Sequence, residues 1–147
     1  MTALLSLLKN IQQHSQQLVN CLKQEKQALN ENRLDKLNQI ASEKQLILDQ
    51  LNQLDKQRAA SSTNENFNDF IASSNNQPLI KQWDLTRQII SECQQLNEIN
   101  GRLINKRSQI NQDILSILSG RNEQADETYN SKGNQSSHTS LLGGIKA

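Results

Sequence analysis

The chain has 147 residues, 34% of them hydrophobic and 3% aromatic, with a formal net charge of +1, which fits one domain whose modest core is built from Leu and Ile. Asn and Gln supply roughly a quarter of the residues, well above ordinary usage, so the surface is polar more than ionic. Lys and Arg alternate with Asp and Glu without a run of five like charges, which excludes the concentrated basic face that nucleic acid requires. No stretch approaches the ~20 apolar residues of a membrane span.

The start, MTALLSLLKNIQQ, has an apolar run but no basic leader and no small-residue cleavage site, and it passes directly into a periodic helix, so it reads as mature protein. Residues 1–77 contain neither Gly nor Pro, the two strongest interruptions of a helix. In the first segment Leu4, Leu8, Ile11, Leu18, Leu22 and Leu29 recur at spacings of four and three, with Ser15 and Glu25 in the remaining slots. The spacing predicts a helix over about 3–30 with one apolar stripe. Asn30-Glu31-Asn32-Arg33 then offers a turn, because Asn tolerates left-handed backbone angles and can cap a following helix.

A second helix, predicted over 34–60 and antiparallel to the first, carries Leu34, Leu37, Ile40, Ile47, Leu51 and Leu54, with Leu48 widening the stripe. Residues 61–77 are rich in Ser and Asn, whose side chains compete for backbone hydrogen bonds, and read as a linker. Within it only Phe67, Phe70 and Ile71 offer a short helical or hydrophobic tether. Pro78 suits the first turn of a third helix, predicted over 78–119, since its missing amide proton would have no partner there. Leu85, Ile89, Leu96, Ile99, Leu103, Ile110, Ile114 and Ile117 trace its stripe, and Gly120 is placed as a stop. Gly101 inside this helix costs ~1 kcal/mol relative to Ala, and is read as a close approach of a neighbouring backbone or as a hinge. The predicted fold is all-α: an antiparallel hairpin plus a long third helix forming an elongated three-helix bundle over 1–120. Residues 121–147, polar and rich in Gly and Ser, read as a disordered tail.

No catalytic constellation is visible. His14 and His138 have no Asp, Glu or Cys at a ligand or triad spacing, and there is no phosphate loop and no zinc-protease pattern. The chain is expected to be no enzyme and to hold no metal, cofactor or small-molecule substrate. Cys21 and Cys93 lack any CxxC spacing and read as thiols near a helix interface in a reducing compartment, with a disulfide between them left open.

The third helix carries more apolar residues than one stripe needs. Ile114, Leu115, Ile117 and Leu118 occupy four of five consecutive positions and spread around more than half its circumference. One face can pack on the hairpin; the other is either wrapped by linker or tail, or left as an exposed patch of the kind that marks a partner site. Trp83 is open between core residue and recognition anchor.

LNENRLDKLNQIASEKQLILDQLNQLDKQR, with its turn, Leu37, Ile40, the Glu43-Lys44 pair and a Leu series closing on Arg58, resembles the hairpin signature of FlgN-type flagellar chaperones. CQQLNEINGRLINKRSQINQDILSIL is similar to that family's third-helix signature, centred on Leu96-Asn97, Asn100-Gly101 and Leu103. The resemblance covers about residues 3–135 and implies a long antiparallel bundle. It further implies a cytoplasmic export chaperone that binds the C-terminal helical region of hook-filament junction proteins and escorts them to the flagellar type III export gate. Substrate binding is then expected at Leu103, Ile110, Ile114, Leu115, Ile117 and Leu118. Docking on the gate is expected at Tyr129, where the family's Tyr-Gly pair is replaced by Tyr129-Asn130 with Gly133 following. The alternative is a passive coiled-coil structural or adaptor subunit, whose stripes would bury completely in a homodimer.

Overall fold

The sequence before Pro78, free of Gly and Pro, is largely helical in the computed structural model, which describes residues 2–62 and 66–119. Helix α1 spans Thr2–Asn30 and buries Leu4, Leu8, Ile11, Leu18, Leu22 and Leu29 together with Ser15 and Glu25. Every slot of its stripe therefore faces inward, the two polar ones included. Val19, Cys21 and Ala28 are buried as well, because α1 is the central helix and is covered on two sides.

The α1 terminus closes through Asn32, whose φ is 60°. The Arg33 amide donates to the Ala28 carbonyl at 2.8 Å and the Asn32 amide to that of Leu29 at 3.4 Å, the paired bonds of a left-handed helix cap. Asn32 thus shapes the turn rather than capping the next helix, where Arg33 occupies the cap position without a side-chain bond.

Helix α2, Leu34–Ala60, runs back along α1 and buries Ile40, Lys44, Leu48, Leu51, Asp55 and Arg58. Ile47 and Leu54 are only partly buried and Leu34 is 64% exposed, so the inward line differs from the predicted stripe. Leu34, at the first position of α2, is left mostly in solvent.

Helix α3, Phe67–Ser73, forms inside the expected linker. Its cap, Asn66, accepts from the Asn68 amide at 2.8 Å, and Phe67 and Ile71 are buried. Phe67 meets the edge of Trp83 at 4.6 Å between ring centroids. The Arg58 guanidinium, paired with Asp55 at 2.7 Å, lies 4.8 Å from the centre of the Phe67 ring. Trp83 is 5% exposed and its indole N–H donates to Asn68 Oδ1 at 2.7 Å, which makes it a core residue.

Helix α4, Gln77–Ser119, starts after Asn75 at φ 54°, with the Leu79 amide donating to Asn76 Oδ1 at 3.2 Å. It runs parallel to α1. Side chains of α4 meet α1 carbonyls at one constant offset: Cys93 Sγ donates to Ser15 O at 3.3 Å and Asn100 Nδ2 to Leu22 O at 2.9 Å, while Thr86 Oγ1 lies 3.4 Å from Leu8 O and donates at 2.8 Å to Gln82 O of its own helix. Arg107 donates to Leu29 O and Asn32 Oδ1 in the same line. These α4 positions recur every seven residues, as in a coiled-coil seam.

The seam corrects the predicted stripe of α4. Its buried residues are Leu79, Gln82, Trp83, Thr86, Ile90, Cys93 and Asn100. Ile89 and Leu96 are partly buried shoulders, and Leu85 and Ile99 are exposed. The helix is unbroken through Gly101, and a Cβ built there meets nothing within 4 Å, so no close backbone approach requires the glycine.

The core is uneven along this bundle. A large cluster joins Leu4, Leu8, Ile11 and Leu18 to Ile71, Leu79, Trp83 and Ile90, whereas the end near the α1–α2 turn holds only Cys21, Ala28 and Ile40.

Candidate functional site

The thin end of the core opens into a groove of about 1210 Å³ between the first half of α2 and the second half of α4. Both helices lie on α1, and the residues facing each other across the gap include the small Ala41 and Gly101, which leave it unfilled. Leu34 and Leu37 form one wall, Leu103, Ile104 and Ile110 the other, and Leu29 lies between them.

The groove also reaches a polar cluster that ties three helices together. Glu25 Oε1 of α1 accepts from Lys44 Nζ of α2 at 3.4 Å and from Asn100 Nδ2 of α4 at 2.8 Å. The Lys44 and Glu25 side chains are 7% and 9% exposed, and a charge pair so buried is tolerated because each member has its counter-charge. Of the charged residues lining the groove, Glu25 and Lys44 offset one another while Lys106 and Arg107 add positive charge.

Past Arg107, the last residue of α4 held to α1, the helix continues for about twelve residues, roughly 18 Å. No α4 residue after Asn100 is buried. Ile114 is 48% exposed, Leu115 65%, and Ile117 and Leu118 77% each.

The structure thus divides the expected substrate-binding residues. Leu103 and Ile110 line the groove, while Ile114, Leu115, Ile117 and Leu118 lie on the projecting end of α4. Tyr129, the expected gate-docking residue, and His138 lie outside the described residues. Sequence reading missed the opposite wall at Leu34 and Leu37, together with Leu29, Ala41 and Ile104. The signal available was Glu25, a carboxylate in an inward slot that calls for a buried partner.

The two thiols are shielded. Cys21 and Cys93 are free, buried thiols donating to different carbonyls, those of Ile40 and Ser15. Burial, reinforced by Glu25 and Glu43, pushes the Cys21 thiol up to about 11. Burial, with Glu92 adding to it, pushes Cys93 up to about 12. His14 Nδ1 donates to the Asn10 carbonyl of its own helix at 2.9 Å. Among the described residues no group of His, Cys, Asp and Glu could hold a metal, and no helix is long and apolar enough to cross a membrane.

A helical bundle with an apolar groove and no catalytic cluster among its described residues matches the FlgN protein family over residues 1–137. The chain belongs to the FlgN family. The crystal structure of a flagella synthesis protein FlgN from Pseudomonas aeruginosa is similar to it, with 27% sequence identity and a TM-score of 0.64 over 74% of this chain and 91% of that one. No curated protein sequence matches. As a FlgN-family member the chain is a flagellar synthesis protein, and its all-α bundle is the architecture that the sequence predicts.

Proposed function

We propose that this FlgN-family chain is a cytoplasmic export chaperone. It binds the C-terminal helical region of flagellar hook-filament junction proteins, prevents their premature association and delivers them to the flagellar type III export gate. The observation that carries this reading is the uncovered apolar surface of α4, which starts at Leu103 and Ile110 in the groove, continues through Ile114 and Ile117 and widens to Leu115 and Leu118 on the projecting end. Such a surface can bury the apolar face of an amphipathic helix by helix-in-groove packing, and it needs neither cofactor nor catalytic residue.

The test is Leu115→Glu with Leu118→Glu. Both side chains already face solvent, so helicity by circular dichroism should stay within a few per cent of wild type. Burying two Leu side chains against a partner contributes about 3–6 kcal/mol, so the double variant should lose at least ~100-fold in affinity for the junction proteins. Wild-type affinity in that variant would sink the reading. Delivery is assigned to Tyr129, an aromatic that offers much contact area while few torsions are frozen. Tyr129→Ala should leave substrate binding intact and weaken calorimetric docking of the loaded chaperone on the gate's cytoplasmic domain by ~1–3 kcal/mol. Unchanged gate affinity would show that Tyr129 plays no part in docking.

A further inference from the structure

The cleft between α2 and α4 is filled at one end only. There the chain supplies its own plug: Phe67 and Ile71 of α3 are buried, and the Arg58 guanidinium of α2 lies 4.8 Å from the centre of the Phe67 ring and 5.7 Å from that of Trp83 on α4. A short element with two apolar side chains four residues apart is enough to close it. At the opposite end Leu34, Ile104 and Ile110 line the groove and stay exposed, since no described helix reaches over them.

One other segment of the chain has a similar make-up. In residues 120–147 apolar side chains gather at Leu141, Leu142 and Ile145, outside the described residues. Leu141 and Ile145 are four apart, as Phe67 and Ile71 are, and Gly143-Gly144 between them lets the backbone turn so that all three side chains face one way. Reach is ample. The 21 residues that join Ser119 to Leu141 span up to about 70 Å, whereas Leu103, at the far part of the groove, lies sixteen residues back along α4, about 24 Å. Charge favours the return as well. Glu123, Asp126 and Glu127 follow closely on α4, and the path back runs beside Lys106 and Arg107, whose charge the Glu25–Lys44 pair does not offset. Tethering separates this occupant from a second copy, because a linked segment is presented at millimolar effective concentration, about a thousandfold above a second chain at micromolar concentration.

We infer that Leu141, Leu142 and Ile145 dock in the groove between α2 and α4 of their own chain and hold it closed until a partner displaces them. Docking goes beyond the chaperone reading, and only the displacement rests on it. The projecting tip of α4, with Leu115 and Leu118, lies past the groove. A client helix meets that tip first and then extends along α4 as the segment leaves. The empty protein thereby keeps the apolar walls of its groove from associating with other exposed apolar surfaces.

The test is paramagnetic broadening in the full chain. Thr139→Cys carries a nitroxide, with the buried Cys21 and Cys93 left in place, and the amide resonances of isotope-labelled protein are followed by NMR. The amides of Leu37, Ala41 and Ile104 should lose half their height or more, while those of Asn68 and Thr86 near α3 keep theirs. Adding Leu141→Glu with Leu142→Glu should restore the groove resonances. Unbroadened groove amides overturn the inference, and so does broadening that survives the two Glu substitutions. A mixture of nitroxide-bearing chain without isotope and isotope-labelled chain without nitroxide should show no broadening; broadening there would place the segment on a second copy and also overturn the inference. Displacement is read by calorimetry with the junction proteins. The Leu141→Glu, Leu142→Glu chain should bind them about tenfold tighter than wild type, as for a groove open about a tenth of the time, and equal affinities would overturn the displacement. Broadening in a chain that binds no junction protein, with or without the Glu pair, refutes the chaperone reading alone. Junction-protein binding without broadening refutes this inference alone.

Discussion

Replacing Lys44 by Met tests whether the polar cluster under the groove holds the three helices together. Met fills most of the volume of the lysine stem but removes the charge 3.4 Å from Glu25 Oε1. Glu25 then keeps only the Asn100 amide, at 2.8 Å. Breaking a buried ion pair from one side costs about 3–5 kcal/mol. The surviving hydrogen bond and the loose 3.4 Å pairing put the expected loss near the lower end, about 3 kcal/mol. In urea, with a slope of about 2 kcal/mol per molar for a chain of this size, the unfolding midpoint followed by circular dichroism should fall by roughly 1.5 M with the slope unchanged. Glu25→Met combined with Lys44→Met removes both charges and leaves Asn100 its bond to Leu22 O. The double variant should lose only about 1 kcal/mol, giving a coupling of about 2 kcal/mol or more in the cycle. Single losses that simply add, or a Lys44→Met loss below about 1 kcal/mol, would refute the account of a compensated buried pair.

Gly101→Ala should raise stability by about 0.5–1 kcal/mol, because the added Cβ meets nothing within 4 Å and the unfolded chain loses freedom; a lower melting temperature would show that the position needs its glycine. The buried thiols predict an alkaline limit. The unfolded chain ionises its cysteines near 9.0 while the native protein holds the protons to about 11 at Cys21 and about 12 at Cys93. Their contribution is therefore full below pH 9 and is lost as pH climbs through those values. Cys93→Ser, which retains a donor towards Ser15 O, should make the loss measured by urea melts at pH 10–11 shallower, and an unchanged slope would contradict it. At pH 8 about one Cys21 in a thousand is thiolate, so a thiol reagent should label the native protein far more slowly than the urea-unfolded chain; equal rates would contradict the burial of both thiols.

The line of α1 was legible in full because its polar members, Ser15 and Glu25, fill slots that apolar neighbours define on either side. On α4 the same method selected the shoulders Ile89 and Leu96 and the exposed Leu85 and Ile99, because the seam itself passes through Thr86, Cys93 and Asn100, residues that hydrophobic periodicity discounts. What buries them is that this face of α4 is covered by α1, whose carbonyls Cys93 and Asn100 bond, a long-range property that no spacing within one helix encodes. Leu34 misled for a related reason: its spacing fits a stripe, but the first position of α2 is left mostly in solvent. The surplus at Ile114, Leu115, Ile117 and Leu118 was visible because four apolar residues in five cannot share one face. The groove was not, since it depends on how two helices docked on a third stand apart. Trp83 could not be placed because its partner is Asn68, one Asn among many in a segment rich in them.

The bonds from α4 to α1 repeat every seven residues on both helices, so the seam works like a ruler whose marks all look alike. Sliding α4 by one heptad, about 10.5 Å towards the end of α1, would offer Thr86 the carbonyl of Ser15, Cys93 that of Leu22 and Asn100 that of Leu29. Those rungs alone do not say where the helix should stop. Glu25 helps to, because at the observed setting one carboxylate reaches Asn100 on α4 and Lys44 on α2 at once. The same slide would lengthen the projecting end of α4 by seven residues. The buried carboxylate therefore joins the packing of Leu79, Trp83 and Ile90 on α1 in setting how far the apolar tip of α4 extends beyond the bundle.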